Sequence, residues 1–181
     1  MDIRNSGKYI FLGGTRSGKS YLAEQAIATR HSQICYVATA PRAWISSDPD
    51  FAARVAEHQK RRGANWQTLE LARPEDLYEL IEKAQIPTLV DSVGGWIAHD
   101  DVFVPDFGRL EAAIRSCRAP LSFVAEEAGL AVHPKSQAAR RYVDLLGQTN
   151  QAIAKCVDRV FFVAAGTATE LFTPKFMEEG Q

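Results

Sequence analysis

Gly13-Gly14-Thr15-Arg16-Ser17-Gly18-Lys19-Ser20 decides how this chain is read. The stretch matches G-x-x-x-x-G-K-[ST] in full. Glycines at these positions let the backbone wrap closely and turn several N–H groups inward, toward an anion. The helix expected after the loop adds its positive N-terminal end. Lys19 is expected to reach the β and γ phosphates of a nucleoside triphosphate, and the Ser20 hydroxyl to coordinate Mg²⁺. The flanks agree with this reading. Residues 9–12 are a short apolar run that reads as a buried strand, and residues 17–30 read as a helix.

A nucleotide-bound Mg²⁺ needs a second oxygen donor. Thr88-Leu89-Val90-Asp91 offers one at the end of an apolar strand, 87–91. Asp91 could equally cap the following helix, and the two roles are compatible. Further strands are expected at 34–38, 66–71, 121–125 and 160–164. Helices are expected at 50–62, 107–117, 137–157 and from Pro74 to about residue 84, where Pro74 followed by Glu75 and Asp76 suits a helix start. Residues 41–49 and 98–106 read as loops, and the tail after Pro174 as frayed. Strands alternating with helices imply βαβ units. The expected fold is α/β, a P-loop NTPase-like three-layer sandwich with a mainly parallel central sheet and helices on both faces. Residues 1–181 are expected to form a single nucleotide-binding domain.

Composition narrows the function. Apolar residues make up 46% and charged residues 24%, as in ordinary globular proteins. A net charge of −1 argues against a nucleic-acid-binding surface. No apolar run reaches the roughly 18–20 residues of a membrane span, and residues 1–8 do not read as a secretory signal. Cys35, Cys117 and Cys156 are far apart, form no CxxC pair and read as free thiols, so the expected location is the cytoplasm. There is no Asn-Lys-x-Asp segment of the kind that reads guanine in GTPase switches. Small size and the lack of an added module point to an enzyme acting on small molecules.

Arg54-Val55-Ala56-Glu57-His58-Gln59-Lys60-Arg61-Arg62 is the second unusual stretch. On a helix, Arg54, His58 and Arg62 fall in one row, with Arg61 beside it. A neutral imidazole is a competent nucleophile, and flanking guanidinium groups can hold a polyphosphate. Spacing alone favours the plainer reading, a solvated basic face with a surface histidine. His31, His99 and His133 are isolated in sequence and are assigned no catalytic role.

Taken together, the segments resemble the bifunctional adenosylcobinamide kinase / adenosylcobinamide-phosphate guanylyltransferase family. The resemblance runs in order along nearly the whole chain. After the phosphate loop come Tyr36-Val37-Ala38-Thr39-Ala40, Arg54-x-x-x-His58 with Arg61 and Arg62, and Trp66-x-Thr68-x-Glu70. Leu89-Val90-Asp91-Ser92 leads into Trp96. Glu127-Ala128-Gly129-Leu130-x-Val132-x-Pro134 is followed by Arg140-Arg141-Tyr142-x-Asp144-x-x-Gly147-x-x-Asn150-Gln151, and Gly166 follows the last expected strand.

The resemblance implies the chemistry. The γ phosphate of ATP or GTP passes to the aminopropanol hydroxyl of adenosylcobinamide. A histidine then takes GMP from GTP, and adenosylcobinamide phosphate accepts it to give adenosylcobinamide-GDP. His58 is the implied guanylylated residue, with Lys19 as its catalytic partner at the phosphates. Ala40, Pro41, Arg42, Gln59, Lys60, Arg61, Arg62, Glu70 and Asp91 are implied to line the guanine nucleotide site, with Mg²⁺ held by Ser20 and Asp91. A homo-oligomer is also implied, with a trimer as the expected form.

The chain departs from the family's usual pattern at Asp48–Phe51, at Ser92-Val93-Gly94, at His99, at Glu126, where Asn is usual, and at Val143. Two other readings make different predictions. A monofunctional small-molecule kinase would turn over nucleotide with an inert His58. A nucleotide-sensing binding protein would bind without transfer, and would have no need of a nucleophile beside the phosphates.

Overall fold

The computed structural model describes residues 7–29, 31–100, 102–130 and 134–172. Arg30, Val132, His133 and the tail after Pro174 lie outside the described residues. The chain alternates strand and helix. It runs β1 (Lys8–Gly13), α1 (Lys19–Ala28), β2 (Ile34–Ala38), α2 (Ala43–Ser47), α3 (Pro49–Arg61), β3 (Trp66–Glu70), α4 (Asp76–Glu82) and β4 (Thr88–Asp91). It continues through α5 (Val93–Ile97), α6 (Phe107–Ser116), β5 (Leu121–Glu126), α7 (Gln137–Ala154), β6 (Arg159–Ala164) and β7 (Thr167–Leu171).

The seven strands form one sheet in the order β3-β2-β4-β5-β1-β6-β7. All neighbours are parallel except β6 and β7. Strand alternation sorts the side chains into two cores. Ile10, Leu12, Val37, Val90, Phe123 and Ala125 face α4, α5, α6 and α7, where they pack with Leu77, Trp96, Leu110 and Leu146. Tyr9, Phe11, Ile34, Tyr36, Leu89, Val124, Phe161 and Val163 face the other way, onto Ala23 and Ile27 of α1. The result is the expected three-layer α/β sandwich, with one helix on one face and four on the other. No helix among the described residues is long and apolar enough to cross a membrane.

α2 and α3 differ from the other helices because neither contains a buried residue. α3 starts well, with Pro49 in its first turn and the Asp48 carboxylate accepting from the Phe51 N–H at 3.0 Å. Its place above the sheet must therefore come from side-chain bridges rather than a core.

Three elements go beyond the sequence expectation. α2 falls within the segment read as a loop, and is a single turn flanked by Pro41 and Pro49. α5 carries Gly94-Gly95, poor helix formers, in its first turn, yet the Ser92 hydroxyl accepts from the Gly95 N–H at 3.1 Å and the helix is buried throughout. β7 is a polar edge strand returned by the Ala165-Gly166 turn, both residues at positive φ, and Arg159 of β6 pairs with Glu170 across it. Helix bounds also shift: the first helix begins at Lys19 because Ser17 belongs to the loop, and the long helix ends at Ala154 rather than 157.

Candidate active site

The phosphate loop joins β1 to α1 and is braced from behind. A Cβ on Gly13 would sit 2.5 Å from the Val163 carbonyl oxygen, so only glycine lets the loop leave the sheet here. Gly18 has φ +94°, and a Cβ there would come 3.1 Å from Gly166 Cα, while the Gly166 N–H donates to the Ser17 carbonyl at 2.8 Å. The β6–β7 turn thus locks the loop's shape, which explains Gly166 as a site-supporting residue. Lys19 is 9% exposed, and its ammonium donates to the Gly14 carbonyl at 3.2 Å. The loop is closed around its own cation.

The sheet brings the remaining groups alongside. Gly13 stands beside Glu126 in the β1–β5 register, Ala38 beside Asp91, and Ala38 beside Glu70. The carboxyl ends of β1, β2, β3, β4 and β5 therefore form one rim, the usual ligand edge of an open parallel sheet. Above it lies a cavity of about 550 Å³. Thr15 to Ser20, Ala40, Arg42, Gln59, Arg61, Arg62, Glu70, Asp91 and His58 all line it. Of the nucleotide-site residues named from the sequence, Gly13, Gly14, Pro41 and Lys60 do not line the cavity; Lys60 is exposed.

His58 enters this cavity from α3. Its Nδ1 lies 3.6 Å from Glu24 Oε1 and 3.6 Å from Asp91 Oδ2. Glu24 is 3% exposed and is gripped by Arg61, with Nε 3.0 Å from Oε2 and Nη2 3.3 Å from Oε1. Tyr36 donates its hydroxyl to Asp91 Oδ2 at 3.1 Å. Burial first, and then the Asp91 charge, push the Tyr36 phenol well above its ordinary pKa, so it remains a neutral donor. The Arg62 guanidinium lies 3.5 Å from the Tyr36 ring centroid, and its Nε donates to the His58 carbonyl at 3.2 Å.

These contacts correct the row of basic residues drawn from helical spacing. α3 ends at Arg61, and Arg62 turns into extended backbone (φ −82°, ψ 125°) and folds back over Tyr36. Arg54 instead lies over the Phe51 ring, 5.6 Å from its centroid. The stretch is not a free basic face: Arg61 and Arg62 anchor a helix that has no core of its own. Glu24 and Tyr36 were missed as site residues. Glu24 sits four residues after Ser20 on α1, and that i, i+4 spacing was the available signal.

At the other end of the cavity, the Gly94 N–H donates to Glu126 Oε2 at 2.9 Å, and the Asn150 amide donates to the Glu126 carbonyl at 3.0 Å. Burial and then the Glu126 charge push the Tyr142 phenol up to about 12. A methyl at Gly94 would collide with Glu126 Oε2 and lie 2.5 Å from the Tyr142 hydroxyl. Gly94→Ala is therefore expected to lower stability by about 1–3 kcal/mol, the usual range for overpacking, read from the urea midpoint. His99 takes no part in the cavity; its ring nitrogen lies 3.4 Å from the Leu71 carbonyl.

The donor set fits a hard cation. Ser20 and Asp91 offer oxygen ligands beside the phosphate loop, which suits Mg²⁺. Glu24, His58 and Asp91 also bring ligand atoms within 4.8 Å of one another.

A phosphate loop, a carboxylate at the end of β4, one strand removed from β1, and an imidazole in one cleft define a P-loop enzyme that works on nucleoside triphosphates. A solved ATPase of a bacterial type III secretion system shares the fold at TM-score 0.53, with 11% identity over 96% of this chain and 53% of its own. The sequence pattern of the cobinamide kinase / cobinamide phosphate guanyltransferase family matches residues 9–171. The bifunctional adenosylcobalamin biosynthesis protein CobP of Pseudomonas aeruginosa is 38% identical, covering 87% of this chain and 92% of its own length. The bifunctional adenosylcobalamin biosynthesis protein CobU of Salmonella typhimurium is 30% identical over 88% and 96%. The chain belongs to this family, and it is accordingly a transferase with kinase and guanylyltransferase activities.

Proposed function

We propose that one cavity serves both transfers of cobalamin biosynthesis and that His58 carries GMP between GTP and the acceptor. The observation that carries this reading is the place of the imidazole: it faces the same cavity as Thr15 to Ser20 and stands 3.6 Å from Asp91. A surface histidine on a solvated face would have neither relation.

In the first reaction the loop N–H groups and Lys19 hold the triphosphate, and the aminopropanol hydroxyl of adenosylcobinamide attacks the γ phosphorus. Holding the reactants in line, and neutralising charge with fixed donors, supplies most of the rate in such transfers. In the second reaction His58 attacks the α phosphorus of GTP and pyrophosphate leaves. The phosphate of adenosylcobinamide phosphate then displaces His58 and takes the GMP. Splitting the transfer in two lets one nucleophile face each partner in turn. Mg²⁺, held by Ser20 and Asp91, would offset the phosphate charge in both reactions. Arg42 and Glu70, paired at 3.4 Å on the exposed rim, would contact the nucleotide's base or ribose.

The test is product analysis with GTP labelled separately at the γ and α phosphates, in the presence of adenosylcobinamide. Label from the γ position is expected in the acceptor's new phosphate, and label from the α position in adenosylcobinamide-GDP. Transfer of γ label alone would reduce the protein to a simple kinase and remove the role of His58.

A further inference from the structure

Glu24 is among the most buried charged groups of the described residues, and it touches His58. We propose that Glu24 is a positioning residue that decides which imidazole nitrogen reacts: it holds the Nδ1 edge of His58, so the bond to the α phosphorus forms at Nε2. This rests on the reading of His58 as the nucleophile.

Three observations carry it. First, two carboxylates converge on a single nitrogen, with Glu24 Oε1 and Asp91 Oδ2 each 3.6 Å from Nδ1. Among the described residues, no hydrogen bond or ion pair reaches Nε2. Second, neither carboxylate is free to turn away. The Arg61 fork holds both oxygens of Glu24, and the Tyr36 hydroxyl holds Asp91 Oδ2. Third, Glu24 lies on α1 one turn beyond Ser20, so the same helix that ends the phosphate loop sets the position of this carboxylate.

The distances describe a charge contact rather than a formed hydrogen bond, and such contacts tighten when charge develops. Attack by Nε2 places positive charge on the ring. Carboxylates at the opposite edge stabilise that charge and fix the ring's orientation, as a third group does for the base in nucleophile–base pairs. The step balances. The Nε2 lone pair forms the N–P bond, and the bond from the α phosphorus to its bridging oxygen breaks. Pyrophosphate leaves with that electron pair. The Nδ1 proton stays at the Glu24 and Asp91 edge. When the acceptor phosphate attacks, the N–P bond breaks and its electrons return to Nε2.

The experiment uses the whole protein incubated with Mg²⁺ and GTP, followed by phosphorus–proton correlation NMR of the guanylylated histidine in a base-stable digest. Phosphorus on Nε2 couples to both ring protons, whereas phosphorus on Nδ1 couples to Hε1 alone. Nε2 attachment is expected. In Glu24→Gln the single-turnover rate of labelling is expected to fall on the order of 10²-fold, with Nδ1 attachment appearing beside Nε2 in Glu24→Ala. Attachment of the wild type at Nδ1 would overturn the proposal while leaving His58 as nucleophile. A Glu24→Gln rate within about twofold of wild type would overturn the role of Glu24, since losing a carboxylate that orients a reacting imidazole costs far more than this. Absence of any label on wild-type His58 would instead overturn the covalent reading itself. The wild-type linkage decides the first point even if neither variant folds.

Discussion

Lys19→Ala is expected to depress both transfers by about 10³-fold, the largest catalytic effect of any single change at the phosphate loop. The size follows from the setting. The ammonium is nearly enclosed and sits inside the loop, bonded to the Gly14 carbonyl at 3.2 Å. Two unit charges about 4 Å apart at an effective dielectric near 20 attract by about 4 kcal/mol, which is close to a 10³-fold rate effect when the charge is on the reacting phosphates. Removal also takes one of two donors from the Gly14 carbonyl, which keeps the Ser17 N–H at 3.2 Å. Arginine is a poor replacement because its planar fork does not fit where a compact point charge is enclosed. Steady-state rates with γ-labelled and α-labelled GTP measure the two losses separately. A loss confined to one transfer would show that the two reactions do not share the loop.

Trp96→Ala is expected to cost about 3–5 kcal/mol of stability, the range for truncating a large buried aromatic. Trp96 is fully buried, and its indole N–H donates to the Pro74 carbonyl at 2.7 Å. Its ring meets Tyr78 at 5.6 Å and Phe103 at 5.2 Å, both edge-on. This one side chain ties α5, α4 and the segment after α5 together beneath the cavity floor formed by Gly94 and Gly95. The substitution removes the aromatic contacts and the shorter of two hydrogen bonds to the Pro74 carbonyl, which keeps the Leu77 N–H at 3.3 Å. For a chain of this size the loss corresponds to a fall in Tm of about 6–20 °C, measurable by calorimetry. A shift of only a degree or two would mean that the floor collapses to refill the space.

The sequence legibility follows the physics of each segment. Strands β1, β2, β4 and β5 are buried on both faces, so they read as short apolar runs. The phosphate loop was legible because its glycines and lysine each answer a backbone or charge requirement. α5 was not, because its stability comes from a Ser92 cap and complete burial rather than from the propensities of Gly94 and Gly95. β7 was not, because an edge strand paired on one side needs no apolar pattern. In the site, His58 and Asp91 were visible as residue types at telling places. The grip on them was not: Glu24 reaches His58 across 34 positions and Tyr36 reaches Asp91 across 55. Such pairings are set by strand order and by how the helices pack, which spacing along the chain does not encode. Helical spacing put Arg54, His58 and Arg62 in one row with Arg61 beside it, and all four line the cavity, but it did not show that Arg61 pairs with Glu24 or that Arg62 lies over the Tyr36 ring.

The central claim is that His58 becomes covalently linked to GMP. The most direct measurement incubates the pure protein with Mg²⁺ and GTP labelled at the α phosphate, without acceptor, beside His58→Ala. Stable attachment of label to the wild type, lost in acid and kept in base, with none on the variant and none from GTP labelled at the γ phosphate, is the result this account predicts. A wild-type protein that binds GTP yet takes no label, or a His58→Ala variant that labels equally well, would contradict it.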